Sequence, residues 1–86
     1  IRWGGGSDTG VTPFPARLGL WASTARETSG QVWGAQPFGT AESVPITTAL
    51  TSYTRWAAPL IRADASGVLA AGKSADIAIW DRDPYA

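Results

Sequence analysis

The chain has 86 residues, of which 44% are hydrophobic, and seven basic residues balance seven acidic ones. This length suffices for at most one small domain, and the hydrophobic content is typical of a globular chain. Zero net charge argues against nucleic acid, and no apolar run approaches the roughly 20 residues of a membrane span. Without cysteine or histidine, the chain offers no disulfide, no thiolate ligand and no imidazole base or ligand.

Residues 1–8 predict a short strand that ends in a loop at Asp8. A partly apolar lead, Ile1-Arg2-Trp3, runs into three glycines, which adopt backbone conformations closed to other residues. In an α/β barrel the loops that follow the strands form the active face. Asp8 is therefore the candidate catalytic and metal-facing carboxylate, and a flexible linker is the alternative interpretation of this stretch.

A first helix is predicted from Pro15 to about Glu27, after a loop that begins at Thr9. Pro15 can occupy the first turn, where its missing N–H does no harm. The apolar positions follow the helical period, and they are Leu18, Trp21, Ala22 and Ala25. We expect Trp21 to belong to the core rather than to a pocket, and Arg17 and Arg26 to face water.

Residues 28–45 predict a long loop without periodicity. Loops of this length often have a function, such as covering a site. Trp33 and Phe38 either contact substrate there or hold the loop in place, and we favour the second interpretation.

The second helix is predicted to start near Pro45 and to continue for about four turns. Its apolar positions are Ile46, Ala49, Leu50, Tyr53, Ala57 and Leu60. Because Pro59 lacks a backbone donor, we expect a break near residues 57–58 and a short helical piece after it. Arg55 and Arg62 are expected to face solvent.

Residues 67–82 change to a strand-like period. Two short strands are predicted, at 68–69 and at 75–80, around the turn Ala70–Lys73. The run Ile77–Trp80 is apolar on both faces, which is typical of burial between two layers.

The segment Gly67–Ser74 matches the letter pattern of a phosphate-binding P-loop. That pattern needs an apolar strand before it and a helix after it, because the helix N-terminus holds the phosphates. Here the preceding residues 62–66 are polar and the following residues 77–80 are β-like. We therefore do not expect a nucleotide site.

Three features together resemble the family-3 amidohydrolases, which include N-acyl-D-amino-acid deacylase and N-substituted formamide deformylase relatives. Gly6-Ser7-Asp8 resembles the Gly-Ser-Asp at the end of that family's eighth barrel strand. Ala49-Leu50-x-x-Tyr53-Thr54-x-x-Ala57 resembles the helix that follows. Gly67-x-Leu69-x-x-Gly72-Lys73-x-Ala75-Asp76-Ile77, through Asp81, resembles the closing hairpin.

This resemblance implies an α/β fold of which the chain forms only a part. Residues 1–65 would be the last strand and helices of a (β/α)8 TIM barrel, and residues 66–86 a hairpin of the accompanying small β-domain. A barrel takes about 250 residues, and the chain starts at Ile1 rather than Met. We therefore expect a segment that is cut at both ends, and we take a cytoplasmic location as the default.

The resemblance also implies hydrolysis of C–N bonds, commonly amides of small molecules, with one or two divalent metals, often zinc. Asp8 would contact the metal or its bound hydroxide and carry a proton to the leaving amine. Asp76 matches a position in the hairpin, where we expect a structural hydrogen bond.

The family's other ligands come from earlier strands. We therefore expect the isolated segment to hold no metal and to be inactive. Its partner would be the remainder of its own barrel or a complementary chain, and its unpaired strand edges would favour aggregation.

Two other functions stay open from the sequence. Five tryptophans in 86 residues suit a small binding module, for example one for carbohydrate, although Trp21, Trp56 and Trp80 lie in stretches that look like core. The chain could also be a docking piece that completes another chain's barrel.

Overall fold

A computed structural model describes all 86 residues, Ile1–Ala86. Three α-helices follow one another along the chain: α1 (Ala16–Ala25), α2 (Ile46–Tyr53) and α3 (Ala57–Leu60). Two short 3-10 helices, Ser29–Gln31 and Thr40–Glu42, lie between α1 and α2. No helix has the length and apolar character that crossing a membrane requires.

Helix α1 confirms the first predicted helix. It begins one residue after the predicted start at Pro15 and ends two residues before the predicted end at Glu27. Pro15 lies just before the helix in extended conformation, with φ −63° and ψ 121°. Arg26 ends it in the left-handed region, with φ 59°, and donates its N–H to the Ala22 carbonyl. Side-chain spacing and proline chemistry, which are local signals, therefore located this helix.

The interface between α1 and α2 uses a different face of α1 from the predicted one. Leu20, which the apolar pattern omitted, is the buried residue of α1 at 6% exposure. The predicted face is only half-buried, and its members are Leu18, Trp21, Ala22 and Ala25. Gly19 lets α2 approach closely, since a Cβ there would meet the Tyr53 hydroxyl. The absence of a side chain at Gly19 thus determines which face of α1 packs against α2.

The break after α2 lies earlier than the predicted position at residues 57–58. Helix α2 ends at Tyr53, Thr54 has non-helical angles (φ −126°, ψ −94°), and α3 begins at Ala57. Pro59 lies within α3, in its first turn. A proline ring clashes with the carbonyl four residues before it, here that of Arg55, so the helix has to be interrupted before that residue joins it.

The strands predicted at residues 1–8, 68–69 and 75–80 are not present, and the only bridge joins Thr9 to Thr12. A strand exists through hydrogen bonds to a neighbouring strand, and these segments find none. Within residues 1–7 the one backbone bond runs from the Gly5 N–H to the Ser52 carbonyl (3.0 Å). The run Ile77–Trp80 is exposed, Ile79 at 94% and Trp80 at 45%, because the 86 residues do not supply the two layers between which its burial is predicted.

The core is small. Only four of 86 residues are buried: Leu20 of α1, Ala49 and Ser52 of α2, and Ala58 of α3. The solvent-accessible surface is 6862 Å², against about 4,900 Å² expected for a folded monomer of this mass. The radius of gyration is 14.2 Å, against about 12 Å for a compact domain of this length. Much apolar surface therefore stays in contact with water.

Candidate functional site

Asp8 lies at a tight turn. Its backbone is left-handed, with φ 49°, and its carbonyl accepts the N–H groups of Val11 (3.0 Å) and Thr12 (3.4 Å). Aspartate tolerates this region better than most residues, although such a conformation still carries strain. The side chain is exposed. The turn therefore presents the Asp8 carboxylate to solvent, as a reactive or binding carboxylate requires.

The glycines before Asp8 serve a purpose other than the predicted one. None of Gly4, Gly5 and Gly6 has a positive φ. A Cβ at Gly5 would instead collide with the ring of Tyr53, and one at Gly4 would lie 2.7 Å from the Leu60 side chain. The lack of a side chain at Gly4 and Gly5 therefore allows close packing of this segment on α2 and α3, whereas a Cβ at Gly6 would meet nothing within 4 Å.

A cleft of about 530 Å³ lies beside the Asp8 turn. We call it the Asp8 cleft, although Asp8 itself is not in its wall. Its walls come from the turn, α1, the following loop and α2, and they include Gly6, Ser7, Val11, Thr12, Leu18, Gly19, Trp21, Ala22, Glu27, Thr28, Ser29, Val32, Trp33 and Tyr53. The cleft therefore brings aromatic and polar side chains from distant parts of the sequence together next to the turn that contains Asp8.

Three of these wall residues change the interpretation of the sequence. Trp21, expected in the core, is half-buried and faces the cleft. Trp33 does not hold its loop in place, since its side chain is 83% exposed. The sequence predicts Glu27 only as the end of the first helix. The sequence contains one signal of this wall: residues 27–33 form a mostly polar run that directly follows a helix and ends at a tryptophan.

Hydrogen bonds to backbone carbonyls, rather than aromatic side chains, hold the 28–45 loop. The Phe38 N–H donates to the Arg26 carbonyl (2.7 Å). The Arg26 guanidinium donates in return to the carbonyls of Phe38 and Gly39, both at 3.2 Å. Ser43 adds a bond from its hydroxyl to the Thr24 carbonyl (2.6 Å). Arg26, expected to face water, therefore fixes the loop that carries the outer wall of the Asp8 cleft.

The residues of this chain do not themselves fit a divalent-metal site. Such sites need several oxygen, nitrogen or sulfur ligands around one point. Nowhere in the structure do three His, Cys, Asp or Glu side chains come together. Asp8 is thus a single candidate ligand, and the remaining ligands of any metal would have to come from outside these residues.

The segment that matches a P-loop lacks the geometry of one. The Lys73 ammonium donates to the Asp64 carbonyl (2.6 Å), and the Ser74 N–H donates to the Ala65 carbonyl (2.8 Å). No helix follows Ser74. Asp76 accepts a hydrogen bond from the Ser66 hydroxyl (3.1 Å), in agreement with the structural role expected for it. Ser66 and Asp76 border a second, mostly apolar groove of about 740 Å³ between α3 and the C-terminal segment.

Comparison with known proteins gives one family. The model of the amidohydrolase family, in its family-3 form, matches residues 1–86, which is the whole chain. No curated protein and no solved structure matches.

Proposed function

This chain belongs to the amidohydrolase family, a family of hydrolases, and from that membership we propose that it supplies the proton-transfer carboxylate of an enzyme that hydrolyses C–N bonds of amides. Asp8 is that carboxylate. The observation that carries the proposal is the left-handed turn that presents Asp8 to solvent beside a cleft of substrate size.

The chemistry of Asp8 follows from its charge and position. An ionised carboxylate accepts a proton from the water that attacks the amide carbon, which forms the new C–O bond. As the C–N bond breaks, the protonated Asp8 returns that proton to the nitrogen, and an amine and an acid leave. Each turnover therefore restores the carboxylate.

A divalent metal, zinc on the family resemblance, would lower the pKa of the attacking water in the complete enzyme. Its other ligands belong to residues outside this chain, and we propose that the isolated segment is inactive. Within the family, the sequence features favour the N-acyl-D-amino-acid deacylase and N-substituted formamide deformylase group.

We propose the same context for the fold. Residues 1–65 would complete a (β/α)8 barrel and residues 66–86 would pair into its small β-domain. The solvent-accessible surface of this chain is larger than expected for a folded monomer of its mass, which supports the proposal. The exposed side chains of Leu69, Ile77 and Ile79 support it as well. The partner is the rest of the same barrel or a complementary chain. A denaturing intact mass far above 9.0 kDa would support continuity with the barrel. A mass of about 9 kDa with a co-purifying larger chain would support complementation.

Replacement of Asp8 by Asn in the complete protein tests the catalytic role. Turnover of an amide substrate should fall by at least about 10²-fold, the usual contribution of a general acid–base group. Asp64→Asn is the control, since its side chain is also exposed and the same charge is removed. Retained activity in Asp8→Asn, with a circular dichroism spectrum like that of the parent, would refute the assignment.

A further inference from the structure

The backbone of residues 75–80 has no hydrogen-bond partner within the chain. None of its N–H or carbonyl groups takes part in a backbone hydrogen bond, and all six residues are exposed. None of them has a positive φ, and none belongs to a helix. Their sequence, Ala-Asp-Ile-Ala-Ile-Trp, contains neither glycine nor proline. Such a segment is a template on which another strand can pair.

One antiparallel pairing of this segment with its own copy sets isoleucine opposite isoleucine. When Ala78 lies opposite Ala78 of a second copy, Ile77 of each chain lies opposite Ile79 of the other. Ile77 and Ile79 share one face of a strand, and opposite residues have their side chains on the same face. Four isoleucines therefore meet on one face of the pair. They are 65% and 94% exposed in the single chain, so that pairing removes apolar surface from water.

The charges at the ends of the segment favour the same register. With Ala78 at the centre, Lys73 of each chain lies opposite Asp83 of the other, and the twofold symmetry makes this pair twice. The Lys73 ammonium uses one of its three N–H groups on the Asp64 carbonyl (2.6 Å). One oxygen of the Asp83 carboxylate accepts the Tyr85 N–H (2.8 Å). Both groups therefore keep the capacity for a contact across the pair.

Neighbouring registers bring like charges together. A shift of one residue sets Asp76 opposite Asp81, and a shift in the other direction sets Lys73 opposite Arg82. A parallel pair in register sets every charge opposite its own copy. Like charges directly opposite each other destabilise a strand pair. The charges thus select the antiparallel register centred on Ala78.

We propose that residues 75–80 bind a second copy of this chain as an antiparallel strand pair centred on Ala78. A single strand pair is smaller than the interfaces of about 1,200–2,000 Å² that hold stable complexes, so the association is weak, with a Kd of about 0.1 mM. At about 5 µM, a concentration usual for unfolding experiments, the chain is then monomeric. The proposal does not rest on the proposed function, since it concerns pairing of this chain with itself. In a complete barrel protein a neighbouring strand would occupy the same backbone groups and exclude the second copy.

Sedimentation equilibrium of the full 86-residue chain, from about 5 µM to about 1 mM, measures the association. The mass should rise from 9.0 kDa towards twice that value. Asp83→Lys should raise the dimer Kd at least about threefold, because it creates two like-charge pairs. Adding Lys73→Asp should restore the parent Kd, because the double substitution again sets unlike charges opposite each other. Ile79→Lys should raise the Kd at least about tenfold, whereas Ile1→Lys, also at an exposed isoleucine, should leave it unchanged.

A cysteine cross-link reports the register directly. The chain has no cysteine of its own. Ala78→Cys sets the two introduced thiols opposite each other, within the reach of a disulfide, so mild oxidation should link two chains. Ala75→Cys is the matched control, since its two thiols would lie about 20 Å apart along the pair. That variant should stay unlinked under the same conditions.

Three results would overturn the proposal: a chain that stays monomeric at about 1 mM, equal linking of the two cysteine variants, or a double substitution that does not restore the dimer. Fibres in place of a dimer would overturn it in favour of open aggregation. A larger co-purifying chain that protects residues 75–80 from hydrogen exchange would overturn it in favour of barrel complementation. Because association is measured without turnover, retained activity of Asp8→Asn would refute the proposed function and leave this result unaffected.

Discussion

Gly67 offers the sharpest test of the packing between α3 and the C-terminal segment. It has φ +86°, and a Cβ there would lie 2.8 Å from the Thr54 carbonyl oxygen and 2.9 Å from the Ala58 Cβ. The Gly67→Ala variant therefore carries two costs. A left-handed alanine costs about 1–2 kcal/mol, and overpacking adds about 1–3 kcal/mol, because the nearest atom is backbone and cannot move away cheaply.

Gly72 separates these two costs. Its φ is +78°, close to that of Gly67, but a Cβ there would meet nothing within 4 Å. Gly72→Ala should therefore lower the free energy of unfolding only by the backbone cost, about 1–2 kcal/mol. Gly67→Ala should lower it by about 1–3 kcal/mol more.

Thermal and urea unfolding, followed by circular dichroism, measure the difference between the two variants. In a domain of this size each kcal/mol corresponds to about 4–8 °C in Tm. Equal unfolding midpoints for Gly67→Ala and Gly72→Ala would refute the close contact between Gly67 and the end of α2. A larger loss in Gly72→Ala would contradict the reasoning on both positions.

Three further outcomes are expected. Leu20→Ala should destabilise the chain by about 2–5 kcal/mol, since Leu20 is buried, whereas Ile79→Ala should leave the urea midpoint nearly unchanged because Ile79 is 94% exposed. Arg26→Ala should speed hydrogen exchange of the backbone amides in residues 28–43, because both guanidinium bonds to the loop are lost; unaltered exchange would show that the backbone contacts suffice. Lys73→Ala should remove a bond to the Asp64 carbonyl and cost about 1 kcal/mol. ATP should not bind to either form in equilibrium dialysis, and saturable binding to the parent would contradict the rejection of a P-loop.

Local signals predicted the helices well and their packing less well. Pro15 and the apolar spacing gave α1, and Pro59 correctly required a break after α2. The buried face of α1 depends on Gly19, and Gly19 matters only because Tyr53 of another helix lies against it. The apolar pattern of a single helix does not contain that information, so it does not predict the burial of Leu20.

The strands and the site depend still more on distant residues. Residues 75–80 alternate as a strand should, yet alternation without a paired neighbour leaves backbone groups to water and forms no ladder. The sequence placed Asp8 in the turn after a strand, and the structure has the turn at Asp8 but not the strand before it. It could not predict that Trp21, Glu27 and Trp33 share a cleft with that turn, because three separate segments bring them there.

The close packing of Tyr53 against two glycines limits which substitutions this sequence can accept. Its ring lies against Gly5 and its hydroxyl against Gly19, so that a methyl group at either glycine collides with it. Tyr53→Phe would remove the closest collision at Gly19 but leave a 2.9 Å contact to the ring carbon Cζ, and it would remove none of those at Gly5, which involve ring carbons. A lineage could therefore accept alanine at position 19 only with loss of the hydroxyl at 53 and a shift of the ring. Position 5 would stay glycine for as long as an aromatic ring is kept.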